Sequence, residues 1–150
     1  MWSVPLLGDS VWIGSWPFEA DAVPDDITGQ TVMRTAGKPA AIRLTADRKE
    51  LTATGEDLCY ILIEAVDDEG TLCPLADNLV RFKVKGLAEI AAVGNGNPLS
   101  LEPFQADHRK LFYGKAMLIL RTKEGQGGQI RVVAESDGLR GADIALRCLR

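Results

Sequence analysis

Short runs of alternating apolar and polar residues are the feature that most restricts the fold of this 150-residue chain. In residues 79–84, for example, Val80, Phe82 and Val84 alternate with basic side chains. A period of two places all the apolar side chains of a strand on one face of a sheet. No segment shows sustained helical spacing with capping residues. The pattern therefore predicts strands with one buried face.

Turn-forming residues divide these runs into seven or eight predicted strands. Asp-Asp-Glu-Gly at 67–70, Gly-Asn-Gly-Asn-Pro at 94–98 and Asp-Gly at 137–138 are strong turn signals. Residues 99–109 are predicted to form a loop. The predicted strands cover residues 42–46, 51–53, 58–66, 79–84, 88–93, 111–121, 129–135 and 142–146. Short strands with regularly spaced turns favour an all-β fold in which two antiparallel sheets pack as a sandwich.

Composition and charge exclude several classes of function. The net charge is −4 and no basic cluster occurs, which argues against binding to nucleic acid or to an anionic membrane surface. No apolar run approaches the length of a membrane helix. The three cysteines, Cys59, Cys73 and Cys148, form neither a disulfide framework nor a zinc-ligand pattern. We therefore expect no metal and no cofactor, and we expect Cys59 to be a small buried hydrophobic residue.

Residues 44–86, LTADRKELTATGEDLCYILIEAVDDEGTLCPLADNLVRFKVKG, resemble a bacterial immunoglobulin-like repeat of the invasin and intimin type. The flanking runs RTAGKPAAIRL and AEIAAVGNGNPLSLEPFQADHRKLFYGKAMLILR resemble the C-terminal region of glycoside hydrolase family 2 enzymes of the β-galactosidase kind. The resemblance implies an immunoglobulin-like sandwich over residues 36–150. It also implies that residues 1–35 are a remnant of a preceding β-domain plus a linker.

The same resemblance implies retaining hydrolysis of β-glycosides by two glutamates of a catalytic barrel, and no part of this chain matches that barrel. No catalytic residue can therefore be assigned here. Glycoside cleavage needs two carboxyl groups across one cleft. Glu64, Glu102 and Glu135 are the least crowded acids, and we expect them on the solvated surface or in loops. His108, the only histidine, is expected to be exposed in a loop.

Two further groups of residues have a chemical and a plain structural interpretation. Asp67, Asp68 and Glu69 could offer oxygens to calcium, but their spacing is not that of an EF-hand, and a hairpin turn is the simpler prediction. Residues 94–98 lack a phosphate-loop pattern and are predicted to form a tight turn, with room for a contact role.

The aromatic residues near the N-terminus are the candidates for contact with carbohydrate. Trp12, Trp16 and Phe18 could stack on sugar rings, or they could pack against a neighbouring domain or the core. Packing is the interpretation we favour, because aromatic side chains bury large apolar areas.

Three functions remain open from the sequence. The first is a structural accessory domain of a β-galactosidase-like enzyme that packs on other domains of the same chain and helps frame the substrate cleft. The second is a carbohydrate-binding module, and the third is a repeat of a surface adhesin. The resemblance suggests a bacterial parent enzyme that is periplasmic or secreted.

Overall fold

The computed structural model describes residues 35–150, which form β-strands and turns without any helix. Nothing in this part of the chain is a helix long and apolar enough to cross a membrane. The strands are β1 (Ala41–Ala46), β2 (Glu50–Thr52), β3 (Leu58–Val66), β4 (Leu79–Lys85), β5 (Ala88–Gly94), β6 (His108–Lys110), β7 (Lys115–Thr122), β8 (Gly128–Glu135) and β9 (Ala142–Leu149). They form sheet A, in the order β1-β3-β7-β5, and sheet B, in the order β2-β9-β8-β4-β6. The predicted all-β sandwich is confirmed.

The core lies between the two sheets and is built from the alternating positions that the sequence indicated. In β3, the side chains of Cys59, Ile61 and Ile63 are fully buried, as predicted for one face of that strand. In β8, Ile130 and Val132 are equally buried. Removing such surfaces from water stabilises the fold by roughly 25 cal/mol per Å² of apolar area. Burial also raises the pKa of the Cys59 thiol to about 12, which keeps it protonated and unreactive.

One pairing departs from the expected antiparallel arrangement. Strand β2 runs parallel to β9, with Leu51 opposite Cys148. This pairing arises because the first part of the described chain runs along one edge of the sandwich and contacts both sheets there. At the start of β1, Ile42 N–H donates to the Arg140 carbonyl at 2.9 Å, and Arg140 N–H donates to the Ala40 carbonyl at 2.9 Å. After β1, which belongs to sheet A, the chain passes to sheet B and forms β2. Two consecutive strands along one edge of the sandwich therefore belong to different sheets.

Two predicted boundaries are wrong. The predicted loop 99–109 contains the start of β6, a three-residue edge strand too short for alternation to be visible. The predicted strand 111–121 begins only at Lys115, because Tyr113 and Gly114 form a tight turn that brings Phe112 opposite Lys115. Both turn residues have positive φ, 51° at Tyr113 and 76° at Gly114, which is the conformation of a two-residue type I′ turn.

Asp67 joins the turn after β3 to the first described residues of the chain. Its Oδ2 accepts a hydrogen bond from Gly37 N–H at 2.8 Å, and its Oδ1 accepts from Glu69 N–H at 3.0 Å and Thr71 N–H at 2.9 Å. Gly70 N–H donates to the Asp67 carbonyl at 3.1 Å. The predicted turn at 67–70 is thus confirmed, and this carboxylate serves backbone donors. These hydrogen bonds favour the charged carboxylate and lower the pKa of Asp67 below its usual range. The bond from Gly37 N–H contributes most.

We predict that Asp67→Asn lowers the melting temperature of the 150-residue chain at pH 7 by several degrees. Because the pKa of Asp67 is lower in the folded state, its stabilisation is complete above the unfolded pKa of about 3.9 and is lost as pH falls through the folded value. The difference between wild type and variant should therefore be constant above about pH 5 and shrink below about pH 4. Thermal unfolding followed by circular dichroism from neutral to acidic pH measures this. A difference that stays constant throughout would contradict the assignment.

Candidate contact surface

Glu64 is not on the solvated surface, and this prediction is wrong. It lies on the outer face of β3 but is only 8% exposed. Arg43 occupies the directly opposite position of β1, and its Nε donates to Glu64 Oε2 at 2.9 Å. The guanidinium therefore covers the carboxylate, and Glu64 serves to bind β1 to β3.

The other two candidate acids occupy the positions predicted for them. Glu102 lies in the loop between β5 and β6, where its Oε1 accepts from Lys110 N–H at 3.1 Å. Glu135 lies at the exposed end of β8, and Lys83 Nζ donates to it at 2.8 Å. The three glutamates thus stand on three different elements, and Glu64 and Glu135 each form a close ion pair with a cation.

His108 lies in β6 rather than in a loop, with its side chain 43% exposed. Its Nδ1 is 2.8 Å from Asp107 Oδ1, and this contact lowers the pKa of Asp107. The predicted loop position is wrong because residues 108–110 pair with the first strand residues of β4. The prediction that the ring is accessible to solvent holds in part.

Among the grooves on residues 35–150, three shallow ones include no more than one carboxyl group each. The widest, about 700 Å³, follows the β2–β9–β8 edge and includes one acid, Glu50. That carboxylate lies 3.7 Å from the Arg147 guanidinium. A groove of about 410 Å³ between residues 35–39 and 72–76 includes no acid, and neither does one of about 320 Å³ beside residues 94–96. These grooves lack the paired carboxyls of glycoside cleavage.

Exposed apolar side chains form the most distinctive feature of the described surface. Leu101 is 98% exposed, Leu75 is 90% exposed and Leu99 is 85% exposed. We call five side chains in the loops the apolar loop surface: Leu75, Leu99, Leu101, Phe104 and Tyr113. Single exposed apolar residues are ordinary, whereas contiguous exposed apolar patches are typical of interaction sites.

These loops meet at one end of the sandwich, the end at which β1 begins. The register places the start of β1 beside the end of β3, and the start of β7 beside the ends of β3 and β5. Hydrogen bonds also join the loops to one another. Asn95 Nδ2 donates to the Lys110 carbonyl at 2.9 Å, and Gly114 N–H donates to the Ala76 carbonyl at 3.1 Å. The five side chains therefore project from one connected set of loops.

Arg109 holds the β5–β6 loop in place from beneath. It is only 2% exposed, and its guanidinium donates to the Glu102 carbonyl at 2.9 Å and to the Pro103 carbonyl at 3.2 Å. Its Nε lies 3.7 Å from the Glu102 carboxylate, and its guanidinium carbon is 5.3 Å from the centre of the Phe104 ring. Buried charges are tolerated when they are paired and hydrogen-bonded. The loop is thus rigidly supported while its apolar side chains face outward.

The tight turn predicted at residues 94–98 is confirmed in part: Gly94 still belongs to β5, and Ser100 N–H closes a turn on the Asn97 carbonyl at 3.2 Å. Asn97 N–H donates to Asn95 Oδ1 at 3.0 Å, and Leu99 N–H donates to Asn97 Oδ1 at 3.0 Å. Gly96 has a φ of 74°, which glycine adopts without steric cost. Two successive Asx turns, made by Asn95 and Asn97, therefore hold Leu99 at the surface.

The outer face of sheet B has the opposite character. Cross-strand ion pairs cover it: Lys83–Glu135, Arg131–Asp143 and Arg147–Glu50. Exposed pairs of this kind contribute little to stability but keep a face soluble. The described surface thus has a charged face on sheet B and an apolar surface in its loops.

Sequence reasoning identified the turn at 94–98 but missed the apolar loop surface. Apolar residues inside a turn-rich segment, as in residues 99–104, were the available signal. The candidate carbohydrate contacts Trp12 and Trp16, together with Phe18, lie outside the described residues, so their role stays a prediction.

The sequence profile of Glycoside hydrolase family 2 C-terminal domain 5 matches residues 42–145. The Beta-galactosidase BoGH2A of Bacteroides ovatus is 53% identical over 112 residues, which make up 75% of this chain and 13% of that protein. The crystal structure of a glycosyl hydrolase family 2 member from Bacteroides cellulosilyticus matches with a TM-score of 0.78 and 41% identity, over 81% of this chain and 16% of that chain. The chain therefore corresponds to a small part of each relative.

The D00-D0 domain of intimin matches with a TM-score of 0.55 and 18% identity, over 78% of this chain and 50% of that chain. At this identity the likeness concerns the fold alone. It agrees with the immunoglobulin-like sandwich that the sequence predicted.

We predict that Arg109→Met destabilises the 150-residue chain by about 1.5–3 kcal/mol, because the substitution keeps much of the side-chain volume but removes hydrogen bonds from a charged donor. Amide exchange in residues 99–105 should accelerate. Lys83→Met is the matched control, since its ion pair with Glu135 is exposed and contributes at most about 1 kcal/mol. Urea unfolding and hydrogen exchange measure both effects. Equal losses in the two variants would contradict a supporting role for Arg109.

Proposed function

Since this chain belongs to the glycoside hydrolase family 2 C-terminal domain 5 family, we propose that it is a non-catalytic accessory domain of a β-galactosidase-like glycoside hydrolase. The longer enzyme chain that would carry it is called the parent enzyme below. The domain packs through its apolar loop surface against other domains of the parent enzyme. In this position it helps frame the substrate cleft.

The observation that carries the proposal is the concentration of exposed aliphatic and aromatic side chains at one end of the sandwich. Leu101 at 98% and Phe104 at 68% exposure belong to a loop that the buried Arg109 already holds in shape. A preorganised loop loses little conformational entropy when it binds. Such side chains gain free energy when a partner removes them from water. Packing against another domain supplies that partner.

The position of the chain within its relatives supports the same choice of partner. The matched region makes up 13% of BoGH2A and 16% of the Bacteroides cellulosilyticus structure. Each relative therefore holds several times this length of polypeptide on the same chain. A covalently linked neighbour needs no high intrinsic affinity, because linkage raises its effective concentration.

The acids of the described residues support a non-catalytic role. Glu64 and Glu135 each form an ion pair within 3 Å, with Arg43 and Lys83 respectively. The carboxylate of Glu102 accepts a hydrogen bond from a backbone N–H. Hydrolysis of a β-glycoside requires a carboxylic acid and a carboxylate facing each other across a cleft. The grooves described above contain at most one carboxyl group each. The catalytic glutamates of the parent enzyme would therefore belong to another domain.

A carbohydrate-binding module is the second candidate, favoured by two exposed aromatic rings. Phe104 is 68% exposed and Tyr113 is 67% exposed. Aromatic faces are suited to stacking on sugars, but the three leucines beside them offer no flat face and no hydrogen bond. The adhesin repeat is less well supported, because the likeness to intimin concerns the fold alone.

We predict that the double substitution Leu99→Ser with Leu101→Ser loosens the domain only when it is part of the parent enzyme. In the parent enzyme, trypsin should release the domain about 5–10 times faster, the change expected when interface residues worth about 1 kcal/mol or more are lost. In the 150-residue chain, where both leucines are in water, the melting temperature should stay the same.

Leu149→Ser is the matched control, because Leu149 is 43% exposed at the opposite end of the sandwich. It should leave the rate of tryptic release unchanged. Release at the wild-type rate in the double variant would contradict the proposed packing. Affinity electrophoresis of the 150-residue chain in galactan gels decides the alternative. Retardation that a Phe104→Ala, Tyr113→Ala variant abolishes would favour the carbohydrate-binding module.

A further inference from the structure

Tyr113 adopts a backbone conformation that is unfavourable for its side chain. Its φ is 51°, and it is the only residue other than glycine with positive φ among residues 35–150. A bulky side chain in the left-handed region is strained, and such strain persists at functional positions. Tyr113 is nevertheless 67% exposed, so burial in the domain core does not explain its presence.

The turn itself requires this conformation. A β-carbon on Gly114 would lie 2.3 Å from the Cys73 carbonyl oxygen, so Gly114 must remain glycine and the turn must keep its shape. The first position of a type I′ turn favours asparagine, aspartate or glycine. Tyrosine at residue 113 is therefore unusual for this type of turn. Within the domain, its ring makes an edge contact with Phe112 at a centroid distance of 4.4 Å.

The surroundings of the turn are apolar. Gly114 N–H donates to the Ala76 carbonyl at 3.1 Å, so the turn lies against residues 72–76. Those residues form one wall of the groove of about 410 Å³, and Leu75 in the same segment is 90% exposed. Tyr113 thus belongs to a turn that packs against the segment lining this groove.

We infer that Tyr113 is the anchoring residue of the apolar loop surface, and that its ring inserts into an apolar pocket of a neighbouring domain of the parent enzyme. This inference rests on the proposed function and names the side chain that would contribute most to the contact. Tyrosine is one of the residue types that dominate binding energy at interfaces, because it buries a large rigid area and its hydroxyl can form a hydrogen bond. The leucines around it favour a protein pocket over a sugar as the occupant.

Tyr113→Asn tests the inference, because asparagine accepts positive φ and removes the ring. In the 150-residue chain, relief of strain offsets the lost contact with Phe112, and the melting temperature should be unchanged or raised by up to about 3 °C. In the parent enzyme, the same substitution should make tryptic release of the domain about 10–30 times faster. Tyr113→Phe, which keeps both the ring and the strain, should stay within about threefold of the wild-type rate.

Two outcomes would overturn the inference. A fall of more than about 3 °C in the 150-residue chain would show that Tyr113 serves the stability of its own turn. In the second outcome, trypsin releases the domain from the Tyr113→Asn parent enzyme at the wild-type rate but releases it quickly from the Leu99→Ser, Leu101→Ser variant. Tyr113 would then not be the anchor, and the proposed function would stand. If neither parent variant were released faster, the proposed function would fail together with this inference.

Discussion

The rest of the structure depends on the face-to-face packing of the two sheets. The alternating apolar side chains of both sheets form one continuous core. Fully buried examples are Ile61 and Ile63 of sheet A and Ile130 and Val132 of sheet B. The functional capacity of residues 35–150 therefore lies in the loops and in the outer faces of the sheets. Of these, the outer face of sheet B is covered by ion pairs.

The loops at the β1-start end are ordered by buried polar groups rather than by apolar packing of their own side chains. Arg109 satisfies carbonyl groups of the β5–β6 loop, and the Asp67 carboxylate accepts N–H donors from two neighbouring segments. Such interactions specify one loop conformation, because an unpaired buried polar group is costly. The apolar side chains of these loops can then face outward in fixed positions. In these loops, the buried polar residues therefore stabilise the conformation, and different residues expose apolar side chains.

Much of the fold followed from the sequence, because most core strands carry a readable period of two. The faces of β3, β4, β8 and β9 and the turn at 67–70 were predicted correctly, and the turn at 94–98 was predicted in part. β6 was missed because three residues at a sheet edge carry no period. The burial of Glu64 was missed because it depends on Arg43 in another strand, a pairing that only the register reveals. The apolar loop surface was missed for a similar reason, since its five residues come from three separate loops that only tertiary structure brings together.

We propose above that the loop end of this domain is covered by another part of the same enzyme. Hydrogen–deuterium exchange measures this most directly, by comparing residues 99–105 and 112–115 in the 150-residue chain and in the parent enzyme. We expect at least tenfold slower exchange of these amides in the parent enzyme, with no change in the exposed β8–β9 face that carries Arg131 and Asp143. Equal exchange of both loops in the two proteins would contradict it.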